Sequence, residues 1–284
     1  MPIPLHILTL SCTDAVGIVA AVSGFLAGRG DFIVESQQFA DLDTGRFFMR
    51  VAYQPANPDS DAARGAFAPV AARFTMDWAL HDSARPMRIV IAVSRFGHCL
   101  NDLLHRWRTG TLPVEIAAVV SNHDDFRSLA EWHGLPFVHL PVTAATRPAQ
   151  EAQLLGLITD HRADMLILAR YMQILSPGLC AALSGRCVNI HHSFLPSFRG
   201  AKPYHQAHAR GVKLIGATAH FVTPDLDEGP IIEQGIERVG HTCDAAAMAS
   251  AGQDVESLVL ARAVTWAAER RILLNGTKTV VFRR

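Results

Sequence analysis

Short, nearly uninterrupted apolar runs alternate with helical patterns along the C-terminal part of the chain. Met87–Val93, Val114–Val120 and Met165–Ala169 are runs of this kind. Helical patterns separate them at Cys99–Trp107, 124–133 and 147–161, and a long helix is predicted near the C-terminus at 258–274. Strands that are apolar on both faces and alternate with helices are typical of a parallel sheet covered by helices on both sides. The sequence therefore predicts an α/β unit with a doubly wound, mostly parallel sheet.

The first 83 residues follow a different pattern. Strand-like and helical segments come in the order β-α-β-β-α-β, at 5–10, 17–26, 33–40, 46–53, 61–74 and 76–80. This order is the ferredoxin-like arrangement. The segment Asp82–Pro86 has the composition of a linker. Because 284 residues exceed the usual size of one domain, two domains are expected, at 1–83 and 84–284.

Composition and charge argue against several classes of function. The chain has 26 basic and 26 acidic residues, so neither nucleic acid nor a membrane surface is expected as a partner. Its 5 cysteines are scattered without a Cys-x-x-Cys pair, which indicates free thiols in a reducing compartment. With neither an apolar run approaching 18 residues nor a cationic leader, a cytoplasmic protein is expected.

Polar side chains follow two strand-like runs near the middle of the second domain. Asn189 and His191 share a face if their strand persists to His191, and Asp227 follows the run Leu214–Val222. An amide, an imidazole and a carboxylate suit attack on a carbonyl, with Asn189 holding the oxyanion, His191 moving a proton and Asp227 orienting the imidazole or activating water. His220 is a candidate for positioning water or Asp227, or for a structural hydrogen bond. By spacing alone, all of these residues fit a strand end and an ordinary turn equally well.

Several strings around these residues appear together and in order, and they resemble the folate-dependent formyl transfer enzymes. The strings are Asn189–Pro196, Phe198–Gly200, Gly216–Val222 and Asp227–Ile232. That family includes glycinamide ribonucleotide formyltransferases, methionyl-tRNA formyltransferases and formyltetrahydrofolate deformylases. The resemblance implies that the Asn, the His and the Asp named above form the catalytic set.

Within that family, the sequence favours a deformylase over the two transferases. The first strand of the second domain leads into Ser94–Asn101, where one glycine and the bulky Phe96 make a poor phosphate cradle. A tRNA formyltransferase would add a C-terminal RNA-binding domain and a basic surface, whereas this chain is neutral and carries its extra residues at the N-terminus.

The N-terminal domain resembles an ACT domain, a small amino-acid-binding module, and its fusion to a formyltransferase-type domain is the deformylase arrangement. The resemblance implies hydrolysis of 10-formyltetrahydrofolate to tetrahydrofolate and formate, which supplies formate for one-carbon and purine metabolism. Two alternatives remain open. One is formyl transfer to an amine such as glycinamide ribonucleotide, and the other is a non-catalytic folate or amino-acid sensor.

The resemblance also implies two sets of binding residues. Folate would contact Arg170, Met172, Ile174, Leu175, Val222, Thr223 and Asp225. Met172, Ile174 and Leu175 fit an ordinary core equally well, and Arg199 or Lys202 could serve the glutamate tail. An amino-acid effector would meet Asp14, Gly17, Ile18, Phe32 and Ile33, although Asp14 could simply cap the helix and Gly17 permit packing.

No cofactor beyond the folate substrate and no metal ion is expected. Adjacent His191 and His192 would diverge, and His205 and His208 suit a helix surface better than a metal site. An exposed edge or helix face of the first domain makes a homo-oligomer the expected assembly.

Overall fold

The computed structural model describes residues 4–195 and 203–283, and the described chain forms two compact units. Unit 1 comprises the residues up to Pro86 together with 270–275 and 280–283, and unit 2 comprises 87–269 and 276–279. The sequence prediction placed 84–284 in a single domain. It differs from this division at the C-terminal end, because most of the last fifteen residues pack with unit 1.

Unit 1 has the β-α-β-β-α-β order that the sequence predicts. Its elements are β1 (His6–Thr13), α1 (Ile18–Gly28), β2 (Phe32–Asp41), β3 (Arg46–Gln54), α2 (Ser60–Arg73) and β4 (Asp77–Asp82). The strands form an antiparallel sheet in the order β2-β3-β1-β4. Buried side chains of the sheet, such as Leu8 and Val51, pack against Val22 of α1 and Phe67 of α2. This packing closes one apolar core.

Unit 2 is an α/β unit with a mostly parallel sheet. Its elements are β5 (Met87–Val93), α3 (His98–Arg108), β6 (Val114–Ser121), α4 (Arg127–Trp132), β7 (Phe137–His139), α5 (Arg147–Asp160), β8 (Met165–Leu168), α6 (Pro177–Ala182), β9 (Cys187–His191), α7 (Pro203–Arg210), β10 (Leu214–Phe221), β11 (Ile231–Arg238) and α8 (Ala245–Ala268). In the described chain the sheet order is β11-β10-β9-β8-β5-β6-β7. Strands β9 to β7 in that order are parallel, and β10 is antiparallel to both of its neighbours.

The central strands are buried on both faces, as their composition predicts. Every residue of β8 is buried, and so is every residue of β5 except Arg88. Parallel strands in the middle of a sheet exclude water from both faces, and this burial is the main favourable contribution to folding. The carboxyl ends of β8 and β9 therefore rest on a rigid core.

Two helix predictions in this unit need correction. The C-terminal helix was predicted at 258–274 but runs over Ala245–Ala268, because the Asp244 side chain accepts a hydrogen bond from the Ala247 amide and starts it earlier. Arg270, with φ 55°, lies just beyond its end. The helix predicted at 124–133 is shorter, since Asp124 binds the Arg127 guanidinium instead of capping a helix.

After α8 the chain forms the hairpin of β12 (Ile272–Asn275) and β13 (Lys278–Val281). Arg271, just before the hairpin, donates two hydrogen bonds to Glu35. Its Nη1 lies 3.0 Å from Oε1 of the carboxylate, and its Nη2 lies 3.0 Å from Oε2. Asn275 donates to Asp41 at 2.6 Å. These contacts account for the membership of this segment in unit 1.

None of the helices in the described parts of the chain is both long enough and apolar enough to cross a lipid bilayer.

Candidate active site

Asn189 and His191 lie on β9, which ends at the carboxyl edge of the parallel part of the sheet. The predicted strand extends to His191, so the two side chains share a face. On one side β9 is parallel to β8, and on the other it is antiparallel to β10. In that antiparallel register Asn189 lies opposite His220, and His191 opposite Thr218. Pairing with β10 thus brings a second histidine to the strand end.

Asp227 connects the two histidines. Its Oδ2 lies 3.2 Å from Nδ1 of His191, and its Oδ1 lies 3.7 Å from Nε2 of His220. Burial raises the pKa of Asp227, but the hydrogen bond from His191 and the nearby His220 ring lower it by more, so its pKa lies well below the ordinary value. The side chain is therefore a carboxylate that orients His191.

The backbone around Asp227 is unusually tight. Asp227 has φ 58°, in the left-handed region, and this conformation is costly for a residue with a Cβ. A Cβ on Gly229 would lie 1.7 Å from the Phe221 carbonyl oxygen, so only glycine fits there. Such strain persists only where the surrounding structure enforces it. Here the enforced turn holds the carboxylate against the histidines.

His220 has a hydrogen-bonding pattern that determines the orientation of Asn189. Its Nδ1 lies 2.8 Å from the Phe221 carbonyl oxygen, which can only accept, so Nδ1 carries a proton. In the neutral ring Nε2 is then an acceptor, and it lies 3.2 Å from Nδ2 of Asn189. One amide hydrogen of Asn189 is used in this contact. The second is left for a group in the cavity.

The side chains of Asn189, His191, His220 and Asp227 all line one cavity of about 630 Å³. Its mouth is apolar, and Met172, Ile174 and Leu226 remain 52%, 59% and 57% exposed there. The interpretation of Met172 and Ile174 as ordinary core residues is therefore wrong, whereas Leu175 both lines the cavity and belongs to a buried cluster. The size suits one organic ligand of moderate size.

The remaining residues of the proposed folate-binding set do not all lie at the cavity. Arg170, Val222 and Thr223 line the cavity. Asp225 does not, because its side chain is exposed and only its carbonyl is engaged, accepting from the Thr223 hydroxyl at 3.0 Å. Arg199 and Lys202, the candidates for a glutamate tail, lie outside the described residues.

Sequence reasoning missed a group of polar residues on the cavity lining. Glu256 of α8, Tyr204 of α7 and His192 all reach the cavity. His191 and His192 were expected to diverge, but their rings lie 5.1 Å apart and line the same space. Burial, with the nearby Arg170 charge, lowers the pKa of His192 to about 4, so this ring is neutral at physiological pH. The sequence signal for Glu256 was a carboxylate on the otherwise apolar buried stripe of α8.

Among the described residues, His98, Cys99 and Glu256 have ligand-type atoms within 4.8 Å of one another. His98 Nε2 and the Glu256 carboxylate are joined by a 2.7 Å hydrogen bond, which already occupies one atom of each. Burial raises the pKa of the Cys99 thiol, so it stays protonated rather than becoming a metal-binding thiolate. These contacts fit a hydrogen-bonded cluster better than a metal centre. Of the other histidines considered as ligands, His205 lies on α7 and faces the cavity.

The residues predicted to meet an effector lie in unit 1. Gly17, with φ 96°, precedes α1, and no side chain caps that helix, so the cap interpretation of Asp14 is wrong. Nothing lies within 4 Å of a Cβ built on Gly17, so its backbone conformation rather than packing accounts for the glycine. Ile18 is buried in the core, while Phe32, at the start of β2, is 69% exposed and Ile33 packs against the core.

Comparison with known proteins gives consistent matches. A family model described as formyl transferase matches residues 87–264. A formyltetrahydrofolate deformylase of Corynebacterium sp. (strain P-1) is 50% identical over 280 residues, which are 98% of each chain. The crystal structure of a formyltetrahydrofolate deformylase from Burkholderia mallei superposes with a TM-score of 0.95 at 54% identity, covering 98% of this chain and 99% of that one. A glycinamide ribonucleotide transformylase of Symbiobacterium toebii superposes with a TM-score of 0.65 at 30% identity, over 70% of this chain and 95% of its own.

Proposed function

The chain belongs to the formyl transferase family, and we propose that its site performs the reaction that names its deformylase relatives, the hydrolysis of 10-formyltetrahydrofolate to tetrahydrofolate and formate. The protein is thus a folate-dependent hydrolase of one-carbon metabolism. One observation at the candidate active site gives this proposal its main support. In the described chain His191 Nε2 is buried without a hydrogen-bond partner, beside the free amide hydrogen of Asn189 and at the inner end of an apolar cavity.

In the mechanism that this geometry supports, His191 moves the proton. Asp227 accepts the Nδ1 hydrogen of His191, which leaves the Nε2 lone pair free toward the cavity. Nε2 takes a proton from water as the water oxygen adds to the formyl carbon. The Asp227 carboxylate stabilises the imidazolium that forms, and His191 then delivers the proton to the departing nitrogen.

Asn189 acts on the oxyanion. Its second amide hydrogen faces the position where negative charge develops on the formyl oxygen, and such a donor lowers the barrier by about 2.7–4 kcal/mol. His220 holds the amide in this orientation through its own bond to the Phe221 carbonyl. Asp227 acts by orienting His191 rather than as a base, because its lowered pKa makes it a poor proton acceptor.

The folate ring system lies at the apolar mouth of the cavity. Met172, Ile174 and Val222 supply the apolar surface there, and exposed apolar side chains that cluster at a cavity mark a binding surface. The proposed reaction needs no cofactor beyond the substrate and no metal ion. Activity that survives exhaustive chelation is therefore expected.

The test is formate release by purified protein from 10-formyltetrahydrofolate, first without an acceptor and then with glycinamide ribonucleotide. Release without the acceptor, lost in Asp227→Asn, is expected. Release only in the presence of the amine would make the protein a transferase. Folate binding without any release would make it a sensor.

Unit 1 is proposed to be an ACT-like regulatory unit. Its β-α-β-β-α-β order and antiparallel sheet support this, as does the backbone of Gly17 and Ile18 at the start of α1, which could receive a carboxylate. A panel of amino acids, each tested for a shift in Tm and in formate release, identifies an effector. If no amino acid shifts either quantity, a role of unit 1 in assembly is the remaining proposal. Light scattering then tests it by measuring the mass of the expected homo-oligomer.

A cytoplasmic location is proposed from the cysteines. Cys12, Cys99, Cys180 and Cys187 are free and buried, and unpaired buried thiols suit a reducing compartment. Cell fractionation tests this location.

A further inference from the structure

Arg170, Tyr204 and Glu256 all line the cavity, and together they form a charged wall on it. The Glu256 carboxylate is 1% exposed and accepts hydrogen bonds from the Tyr204 hydroxyl and from His98 Nε2, each at 2.7 Å. Nε of Arg170 lies 3.4 Å from the same carboxylate. Burial raises the pKa of Glu256, but His98, Arg170 and Tyr204 lower it by more, so the wall contains a carboxylate. Side chains from α3, from α7 and from the turn after β8 therefore meet at Glu256 of α8.

The chain is shaped to bring these groups together. Tyr204 packs directly over Gly252, one turn before Glu256 on α8, and a Cβ at residue 252 would lie 2.0 Å from the Tyr204 hydroxyl oxygen. Arg170 has φ 63°, in the left-handed region that a residue with a Cβ rarely adopts. Its guanidinium lies 5.3 Å from the centre of the Phe96 ring. Local strain at Arg170 and a missing side chain at Gly252 are both needed for this arrangement.

The wall adjoins the proposed catalytic group. The His191 and His192 rings are 5.1 Å apart, and the His192 and Tyr204 rings 6.3 Å apart. All three side chains line the one cavity of about 630 Å³, a size that suits one organic ligand. Because folate is proposed at the apolar mouth, the part of the cavity that the wall lines is the space left for a second substrate.

A formyl transfer enzyme must choose between water and an amine, and the fold alone does not decide. The unit is similar over 70% of the chain to a glycinamide ribonucleotide transformylase. We propose that Arg170 and Tyr204, held in place by Glu256, exclude an amine from the space beside His191, so that water is the only acceptor. This inference rests on the proposed function and adds to it the residues that determine acceptor specificity.

The two outcomes differ only in the nucleophile. In hydrolysis the water oxygen forms the new bond to the formyl carbon, and the bond from that carbon to the folate nitrogen breaks. One water proton ends on that nitrogen. Formate leaves, and the second water proton is released to solvent. In transfer the amine nitrogen forms the new bond, one of its protons ends on the folate nitrogen, and a formamide leaves. Since water is small, a wall that blocks amines still admits it.

The test measures how the formyl group partitions. Arg170→Gly combined with Glu256→Gln removes the guanidinium, suits the left-handed backbone, and leaves no unpaired carboxylate. Tyr204→Ala opens the wall from its other side and keeps Arg170 paired with Glu256. Each variant and the parent protein receive 10-formyltetrahydrofolate with a fixed concentration of glycinamide, and mass spectrometry counts formylglycinamide and formate.

We expect the ratio of formylglycinamide to formate to rise at least tenfold in both variants. Gln253→Ala, which shortens a side chain on the lining of the same cavity outside the wall and the proposed folate surface, is the matched control and should keep the ratio of the parent. An unchanged ratio in variants that still release formate would overturn the inference. So would folded variants that bind folate and release neither product, because the wall would then serve hydrolysis itself. Failure of the parent to release formate without glycinamide would instead refute the proposed function.

Discussion

At the scale of single residues, Asn189, His191, His220 and Asp227 form one hydrogen-bonded set. Three of the four imidazole nitrogens have a protein partner: Asp227 for Nδ1 of His191, the Phe221 carbonyl for Nδ1 of His220, and Asn189 for Nε2 of His220. The fourth, Nε2 of His191, has none among the described residues. Buried polar atoms are normally paired, and an exception calls for an explanation. A reacting substrate provides one.

The proposed oxyanion role of Asn189 predicts a large effect of Asn189→Ala. Removing one preorganised donor should lower kcat by roughly 100- to 1,000-fold, since such a donor contributes about 2.7–4 kcal/mol. Formate release under substrate saturation measures the loss. Asn101→Ala, at an exposed position of α3, is the matched control. Near-native turnover in a folded Asn189→Ala protein would sink the assignment.

The lowered pKa of Asp227 predicts a pH dependence of stability. A carboxyl group whose pKa is lower in the folded than in the unfolded chain stabilises the fold above the unfolded value, about 3.9. That stabilisation is lost as the pH falls from there through the folded value. The Tm advantage of the parent over Asp227→Asn should therefore persist above about pH 4 and shrink below it. Asp225→Asn, in the same loop but exposed, is the control, and an advantage that grows in acid would contradict the argument.

At the scale of elements, the site depends on how β9, β10 and the loop after β10 pair. The register of β10 shifts between Ala219 and His220 in its pairing with β11, and this irregularity lies beside the site, where bulges commonly re-aim a side chain. The Phe221 amide donates to the Pro230 carbonyl at 2.9 Å, which closes the loop that holds Asp227. A hairpin of two antiparallel strands thus supplies His220 and Asp227, two of the four hydrogen-bonded residues, to the end of a parallel sheet.

Gly229→Ala should damage this arrangement. The added methyl would lie 1.7 Å from the Phe221 carbonyl oxygen and 3.3 Å from Nδ1 of His220, so backbone must move and the His220 contact must break. We expect lower stability in urea and a lower kcat together. Gly156→Ala in α5 is the matched control, because nothing lies within 4 Å of its Cβ. In a helix that change should raise the free energy of unfolding by about 0.5–1 kcal/mol, and equal behaviour of the two variants would refute the close-approach argument.

At the scale of the whole molecule, unit 1 is built from both ends of the chain. Glu35 of β2 accepts hydrogen bonds from Arg50, within the same sheet, and from Arg271, which follows α8. Burial raises the pKa of Glu35, but Arg271 and Arg50 lower it by more, so it remains ionised. The N-terminal sequence is therefore an incomplete unit by itself.

Arg271→Ala should destabilise the full-length protein. Arg271 is 5% exposed, and its loss leaves Glu35 with Arg50 as its remaining arginine partner among the contacts described above. Hydrogen bonds to charged groups contribute about 1.5–3 kcal/mol, so the free energy of unfolding should fall by about that amount. Urea denaturation measures it. Arg262→Ala, exposed on α8, is the control, and an Arg271→Ala effect no larger than the control's would exclude this role.

Much of this fold could be predicted from local patterns. The apolar runs of β5, β6 and β8 predict a buried parallel sheet, and the period of a strand puts Asn189 and His191 on one face. Both results depend only on the spacing of residues along the chain. The C-terminal helix was misplaced because its first half is rich in Ala and has few large apolar residues, so it gives no strong apolar period.

Only the tertiary structure decided which distant groups meet. The contact of Asp227 with His191, the orientation of Asn189 by His220 and the wall around Glu256 all join elements far apart in sequence. The same holds for the return of the C-terminal segment to unit 1. The physical reason is that periodicity specifies a face within one element, whereas the partner of that face depends on how the elements pack. The sequence by itself determined the two kinds of sheet and the shared face of Asn189 and His191, and packing assembled the site around them.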